Sequence, residues 1–217
     1  MSQVNLVTAA LDAVMVEFEA RIDRSINAQV HALKAQLESA EEVIELVPSY
    51  RCLLVYYNPL KHPEQQLRRL IMTTLEKPLT AATVAPLCHT VEVCYDPSLA
   101  LDSALICSQT GLSHEQWVAL HSGSDYWVYT LGFAPGFAYL GDVPAALQLP
   151  RLATPRAKVP ALSVAIANQQ TAVYPQSSPG GWLIVGRALA LPSWSAGDQV
   201  RFVPIPLAAY QARGGAL

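Results

Sequence analysis

The chain has 217 residues, of which 52% are hydrophobic and 14% charged, and its formal net charge at pH 7 is −3. Its length can bury one large core or two small ones. The acidic balance and the lack of a basic run exclude general nucleic-acid binding, which requires clustered lysine and arginine against phosphates. The sequence has neither an export signal nor an apolar run long enough to span a bilayer, so we expect neither export nor membrane insertion.

The first 85 residues predict a small α+β domain, because two strands precede each of two helices. The predicted elements are strands at 4–7 and 13–18, a helix at 22–37, strands at 43–47 and 52–57, and a helix at 63–75. Asp23 or Ser25 can cap the first helix, and Pro63 suits the first turn of the second. The proline-containing segment 77–86 is the predicted boundary, so we expect domains at 1–85 and 86–217.

The second half predicts a mainly-β domain that follows two short helices. Its predicted elements are a strand at 89–95, helices at 99–108 and 113–121, and strands at 126–131, 163–167, 171–174, 182–185 and 199–203. Ser113 and Gln116 have the spacing of a capping box. Turn residues separate the strands at short intervals, which is typical of a closed or nearly closed barrel. The predicted fold class is therefore an α+β N-terminal domain followed by a mainly-β barrel.

The four cysteines predict reduced thiols in the core of a cytoplasmic protein. They lie in apolar stretches, with no C-x-x-C pair and no histidine at metal-ligand spacing, and we therefore expect no metal site. These cysteines are Cys52, Cys88, Cys94 and Cys107.

Three segments rich in glycine and proline lie in the second half of the chain, at 131–141, 150–160 and 174–182. The first places three glycines among aromatic residues. In the second, Arg151 and Arg156 each follow a proline, which stiffens the loop and lowers the entropy cost of binding through the guanidinium groups. Each segment alone could be a barrel corner. Three rigid loops within about fifty residues favour a binding site.

The charge of the second half is uneven. Between residues 126 and 197 the only acidic residue is Asp142. A basic region within an acidic protein is suited to a small anion. The basic residues in this interval are Arg151, Arg156, Lys158 and Arg187.

An ordered series of uncommon motifs runs from His121 to Ile205. The motifs read G-F-A-P-G-F-A-Y-L-G, P-R-x-x-x-P-R-x-x-V-P, S-V-A-I-A, Q-T-x-x-Y-P, S-P-G-G-W and G-D-Q-V-R-F-V-P-I. This series resembles the family that contains the B subunit of 5-oxoprolinase, the sporulation kinase-A inhibitor KipI and the first subunit of allophanate hydrolase. The resemblance covers nearly the whole chain.

The resemblance implies a cyclophilin-like barrel, related to the carboxyltransferase domains of urea carboxylases, and an ATP-dependent activity that opens 5-oxoproline to glutamate. The implied partners are a companion C subunit of the KipA type, which would share a cleft with this chain, and a third, A subunit of the LamB/YcsF type. The implied cofactor is ATP, together with Mg²⁺, shared with the partner subunits. The sequence contains no G-x-x-x-x-G-K-[ST] phosphate loop.

The candidate catalytic residues are His121, Arg151 and Arg156. His121 could donate a proton or hold the substrate near neutral pH, or it could pack at a helix end. The arginines would form a pair of cations for phosphate or carboxylate charge, unless one forms a salt bridge within the barrel. Glycines could direct N–H groups at an oxyanion, and polar side chains could orient amides. The candidate substrate-binding residues are Gly132, Phe133, Gly136, Phe137, Tyr139, Gln170, Tyr174, Gly180 and Gly181.

Three positions depart from the family pattern, because Leu162, Asn168 and Ala172 stand where relatives carry glycine. If the backbone at Leu162 must adopt a positive φ, the leucine is strained there.

Three other functions compete with a 5-oxoprolinase subunit. One is a subunit of the allophanate hydrolase or carboxyltransferase type, which the same resemblance implies. Another is a regulator that docks on a sensor histidine kinase, as the KipI name suggests. The third is a prolyl isomerase, suggested only by the barrel.

Overall fold

A computed structural model describes residues 4–79 and 86–216. The chain folds as two compact units, Met1–Ala85 and Pro86–Leu217. The predicted boundary falls largely on residues 80–85, which lie outside the described residues, so the assignment of domains stays a prediction. In the described part, no helix is long and apolar enough to cross a membrane.

The first unit is a four-stranded antiparallel sheet with two helices. The sheet order is β1-β2-β4-β3, and the sequence order of strands and helices is the one predicted. Alternate residues of the two central strands, such as Val14 and Leu53, are fully buried with helix residues such as Leu33. The elements are β1 Asn5–Ala10, β2 Ala13–Glu17, α1 Arg24–Leu37, β3 Val43–Pro48, β4 Cys52–Tyr57 and α2 Glu64–Leu75.

Both helices of this unit begin where the sequence supplies a start signal. The Asp23 carboxylate accepts hydrogen bonds from the backbone N–H groups of Ser25 (2.8 Å) and Ile26 (3.3 Å), which caps α1. Pro63 is the N-cap of α2, so the helix begins at Glu64, one residue after its predicted start.

The second unit is mainly β. Most of its strands form a closed barrel, two form a separate ribbon, and the unit also contains short helices. Its elements are β5 Cys88–Cys94, α3 Ser103–Thr110, α4 His114–Ser122, β6 Asp125–Leu131, β7 Ala138–Gly141, β8 Arg156–Val159, β9 Ser163–Ala167, β10 Gln170–Val173, β11 Ser178–Gly180, β12 Leu183–Ala188, β13 Gln199–Pro204 and α5 Leu207–Ala212.

Seven of these strands close a mixed barrel in the order β10-β7-β6-β13-β5-β12-β9. Strands β5 and β13 are parallel, and the other neighbouring pairs are antiparallel. The predicted closed barrel is therefore confirmed. The predicted capping box of α4 is also present, with Ser113 and Gln116 hydrogen bonded to each other's backbone N–H groups.

Three strands lie in segments that the sequence predicts as loops. Strand β7 belongs to the barrel, and β8 and β11 form a separate two-stranded ribbon in which Gly180 pairs with Arg156. Such a ribbon tolerates Pro179 because an edge strand need not donate every backbone hydrogen bond.

The cysteines are free thiols. Cys94 is buried, whereas Cys88 is exposed at the start of β5. The predicted core position is therefore wrong for Cys88.

Candidate functional site

A cleft on the second unit brings together residues from all three segments rich in glycine and proline. Its volume is about 130 Å³. Two wider depressions occur on the first unit, but they contain none of the predicted motif residues, and we therefore take the barrel cleft as the candidate site. The cleft is lined by Phe133, Phe137, Tyr139, Arg151, Tyr174, Pro179, Gly180, Gly181 and Trp182.

The first segment forms a turned loop at one side of the cleft. The Gly132 N–H donates to the Phe137 carbonyl (3.1 Å), and the Phe137 N–H donates to the Ala134 carbonyl (3.0 Å). Phe133 has a φ of 69°, in the left-handed region, and Gly136 has a φ of 81°. The Phe133 side chain is 64% exposed. A large residue held in this conformation and in solvent makes this loop a candidate for function.

Trp194 fixes this loop from outside the three segments. Its indole Nε1–H donates to the Gly136 carbonyl over 3.0 Å, and its side chain is buried. Trp194 is not predictable from the local sequence, because its partner Gly136 lies 58 positions away along the chain.

Aromatic rings form the wall of the cleft around Phe137. The ring centre of Phe137 lies 4.9 Å from that of Tyr139, 5.5 Å from that of Tyr174 and 6.1 Å from that of Trp182, each at a steep interplanar angle. Edge-to-face contacts of this kind add to the free energy gained from burying the rings. The wall is therefore rigid and apolar.

Arg151 is the cation of the cleft. Its guanidinium carbon lies 5.6 Å from the ring centre of Trp182, within the range of a cation–π contact. Arg151 is exposed, and it has no salt-bridge partner among the described residues. The neighbouring Leu152 N–H donates to the Gly181 carbonyl over 2.7 Å, which joins the second segment to the third.

Arg156 lies beside the cleft in an ion pair. Its Nη2 is 2.6 Å from the Asp102 carboxylate, which also accepts the Ile184 backbone N–H over 2.6 Å. The side chain of Asp102 is 6% exposed and that of Arg156 is 26% exposed. Within the described residues the cleft therefore presents one unpaired guanidinium, not the predicted pair. A catalytic role of Arg156 stays a prediction.

The Tyr174 phenol is influenced by the charges of both arginines. Burial raises the pKa of its phenol, the positive charges of Arg151 and Arg156 oppose that rise, and Tyr139 adds to it. Both arginines are thus close enough to act on this one group. At neutral pH the phenol keeps its proton and can donate a hydrogen bond.

Within the third segment, the side chain of Tyr174 lies against the backbone of Gly180. A Cβ placed at Gly180 would lie 2.4 Å from the Tyr174 hydroxyl oxygen, which is far inside van der Waals contact. At Gly132, by contrast, a Cβ would meet no atom within 4 Å.

His121 lies in the barrel core and not in the cleft. It is 0% exposed, and its ring stacks on Phe202 with ring centres 4.9 Å apart. Nδ1 is 2.8 Å from the Tyr95 hydroxyl, and Nε2 is 3.1 Å from the Thr171 hydroxyl. The structure thus places His121 in a packing position, which was the alternative to a role as proton donor. It does not place His121 beside Arg151 or Arg156.

The hydrogen bonds of His121 define its tautomer. The Thr171 hydroxyl donates its proton to the Ala165 carbonyl over 2.9 Å, so it must accept from Nε2–H. Nδ1 then accepts from Tyr95. Burial lowers the pKa of His121 to about 3, and the ring is neutral at physiological pH.

The remaining candidates are divided. Gly180 and Gly181 line the cleft, whereas Gly132 and Gly136 shape its first loop without lining it. Gln170 pairs with Gly141 and Ala167 in the barrel wall and does not line the cleft.

Known proteins related to this chain decide its family. The family model of the carboxyltransferase domain, subdomains C and D, matches residues 4–201. The 5-oxoprolinase B subunit of Bacillus subtilis is 34% identical over 92% of this chain and 92% of its own length. The protein of the same name from Escherichia coli O157:H7 is 36% identical over 88% of this chain and 92% of its own length. This chain belongs to the family of 5-oxoprolinase B subunits. The resemblance predicted from the motifs is confirmed.

Solved structures agree with this assignment. The crystal structure of TTHA0988 is 33% identical, with a TM-score of 0.76 over 89% of this chain. The match spans 40% of the TTHA0988 chain, so more than half of that protein lies outside it. The Kluyveromyces lactis urea amidolyase is 16% identical, with a TM-score of 0.80 over 97% of this chain and 15% of its own. That likeness shows the fold alone.

The structure gives the backbone conformation of the three positions at which the resemblance predicts a glycine. Leu162 has a φ of 61° and Asn168 a φ of 51°, so two of the three positions use the conformation that glycine favours. Ala172 lies within β10 and does not have a positive φ. The strain predicted for Leu162 is therefore present.

Proposed function

We propose that this chain is the B subunit of an ATP-dependent 5-oxoprolinase, which opens 5-oxoproline to glutamate as part of a complex. The observation that carries this proposal is the convergence of the three segments rich in glycine and proline on one cleft with aromatic walls and an unpaired guanidinium. The relatives named as 5-oxoprolinase B subunits support the same activity. The proposal includes two domains at 1–85 and 86–217, a cyclophilin-like barrel and a cytoplasmic location.

The proposed partners are a companion C subunit, which shares the cleft, and a third, A subunit. The relatives are named as one lettered subunit of an enzyme, which implies further subunits. In addition, TTHA0988 has more than half of its chain outside the part that matches this protein. A second polypeptide segment can therefore accompany this fold, either in the same chain or as a separate subunit.

The chemistry available in the cleft is binding and orientation. Arg151 can hold an anionic group, and the protonated phenol of Tyr174 can donate to a carbonyl or carboxylate oxygen. The aromatic wall excludes water from a small ring and strengthens these polar contacts.

ATP, when bound to the complex, supplies the phosphoryl group that makes the lactam carbon electrophilic. The residues of this cleft do not match its triphosphate. The sequence has no phosphate loop, and the described cleft offers a single unpaired guanidinium. We therefore derive no step through ATP from this chain. Among the described residues, no group of three His, Cys, Asp or Glu side chains could hold a metal ion.

Reconstitution tests the proposal. This chain, the companion subunit and the third subunit are mixed with ATP and 5-oxoproline, and glutamate and ADP are measured together. We expect both products only when this chain is present. Equal glutamate formation without this chain, or none in any combination, contradicts the proposal.

A further inference from the structure

We infer that the barrel cleft is a subsite for one small, flat carboxylate, with Arg151 as its charge partner, and that it does not hold a nucleotide. The inference rests on the proposed function for the identity of its substrate. It assigns this chain the carboxylate end of 5-oxoproline and leaves the triphosphate to another part of the complex.

The charge of the cleft fits one negative charge. Arg156 is neutralised by Asp102 at 2.6 Å, and Lys158 lies exposed on β8 without lining the cleft. Among the described lining residues, this leaves Arg151 as the cation without an acidic partner. A triphosphate is held in proteins by several cationic and backbone donors, usually with a metal ion. One guanidinium instead matches one carboxylate, which it can bind through two parallel hydrogen bonds.

The shape of the cleft fits a flat ring. Phe137, Tyr139 and Trp182 form a continuous apolar wall, with neighbouring ring centres between 4.9 Å and 6.1 Å apart. Trp182 also contacts Arg151, so the cation lies at the edge of this wall. A ligand with a small flat ring and an anionic end would place the face of its ring on these aromatic rings and direct its charge to the guanidinium.

The size of the cleft suits a small ring. Its volume of about 130 Å³ is well below the roughly 300–1,000 Å³ of pockets that enclose drug-sized ligands. A five-membered lactam is far smaller than such ligands.

A second polar group completes the subsite. The Tyr174 phenol lines the same cleft as Arg151 and lies against the backbone of Gly180. It can donate one hydrogen bond to a carboxylate oxygen or to the ring carbonyl. Arg151 thus neutralises the charge of the ligand, and the hydrogen bond from Tyr174 orients it.

Ligand binding to the assembled complex tests this inference. Calorimetry would compare 5-oxoproline with 2-pyrrolidinone, which has the same ring without the carboxylate, and with ATP. We expect 5-oxoproline to bind at least tenfold more tightly than 2-pyrrolidinone. Arg151→Met removes the charge but keeps an unbranched side chain, and it should abolish that preference while leaving the affinity for ATP unchanged.

Lys158→Met is the matched control, because it removes an exposed cation of the same region that does not line the cleft. It should retain the preference for 5-oxoproline. Tyr174→Phe is an independent variant that should weaken 5-oxoproline binding several-fold without removing the preference. The inference is overturned if Arg151→Met keeps the full preference, or if it weakens ATP binding tenfold and leaves 5-oxoproline binding unchanged.

The same design separates this inference from the proposed function. If the complex makes no glutamate but binds 5-oxoproline with an Arg151-dependent preference over 2-pyrrolidinone, the subsite stands and the activity is refuted. If it makes glutamate and the preference does not depend on Arg151, the activity stands and the subsite is refuted. If the complex binds neither ring compound, the subsite is refuted.

Discussion

The buried histidine of the barrel makes the stability of the second unit depend on pH. His121 is neutral in the folded chain, where burial lowers its pKa from 6.5 to about 3. In the unfolded chain its pKa returns to about 6.5. Below pH 6.5 the unfolded state therefore binds a proton that the folded state does not bind. The free energy of unfolding that comes from keeping His121 neutral is fully present above pH 6.5. It is lost as the pH falls from 6.5 towards 3.

The size of the effect follows from the two pKa values. Proton linkage with a folded pKa of about 3 predicts a loss of about 2 kcal/mol in the free energy of unfolding between pH 7.5 and pH 5. That is a large share of the roughly 5–15 kcal/mol by which domains are stable.

A nontitratable variant isolates this effect from other groups. His121→Gln can still donate to the Thr171 hydroxyl but cannot bind a proton, so its free energy of unfolding should lack the loss of about 2 kcal/mol. It should be less stable than the natural chain at pH 7.5, because it loses the ring stacked on Phe202 and the acceptor for Tyr95. The deficit should shrink as the pH falls to 5.

Urea unfolding followed by tryptophan fluorescence measures this. All four tryptophans, Trp117, Trp127, Trp182 and Trp194, belong to the second unit, so the signal reports that unit. His62→Gln, in the first unit, is the control and should leave the pH dependence of this transition unchanged. Parallel pH profiles for the natural chain and His121→Gln would refute the reasoning.

Three further substitutions test the geometry of the cleft and its supports. Leu162→Gly should change the free energy of unfolding, measured in urea titrations, by less than about 1 kcal/mol. The relief of left-handed strain offsets the lost burial and the added entropy of the unfolded chain. Leu162→Val should lower the free energy of unfolding by more than about 1 kcal/mol, because a β-branched residue is strained at a positive φ. Gly180→Ala should lower 5-oxoproline turnover at least tenfold in the assembled complex, because its Cβ would meet the phenol oxygen at 2.4 Å; Gly132→Ala, in open space, should retain turnover, and equal effects of the two would contradict the assignment. Asp102→Asn should lower the thermal midpoint by several degrees, because it leaves the half-buried Arg156 without its charge partner; an unchanged midpoint would show that the ion pair contributes nothing.

The elements that the sequence predicts best are those with a hydrophobic signal within their own residues. Strands β4 and β9 have the predicted bounds, at 52–57 and 163–167, because each is a run of apolar residues bounded by turn residues. Strands β8 and β11 are absent from the prediction. Each has only three or four residues, and each pairs with the other across about twenty residues of chain that a local pattern cannot report.

The cleft is only partly predictable for a related reason. Motif order identified most of its lining residues, including Phe133, Arg151 and Tyr174. The distinction between Arg151 and Arg156 depends on Asp102, which lies 54 residues from its partner. Both arginines have the same Pro-Arg sequence context, so only the tertiary fold separates the free cation from the paired one.

The strained leucine connects a family departure to the cleft. The Leu162 N–H donates to the Tyr174 carbonyl over 2.7 Å, and the Leu162 carbonyl accepts the Ala188 N–H over 2.8 Å. Both bonds depend on the turn in which the Ser163 N–H meets the Pro160 carbonyl, with Leu162 at φ 61°. A strained residue persists only where its surroundings determine its conformation. The backbone that carries Tyr174 therefore requires this turn, and the chain keeps a leucine there in the left-handed conformation that glycine adopts without strain.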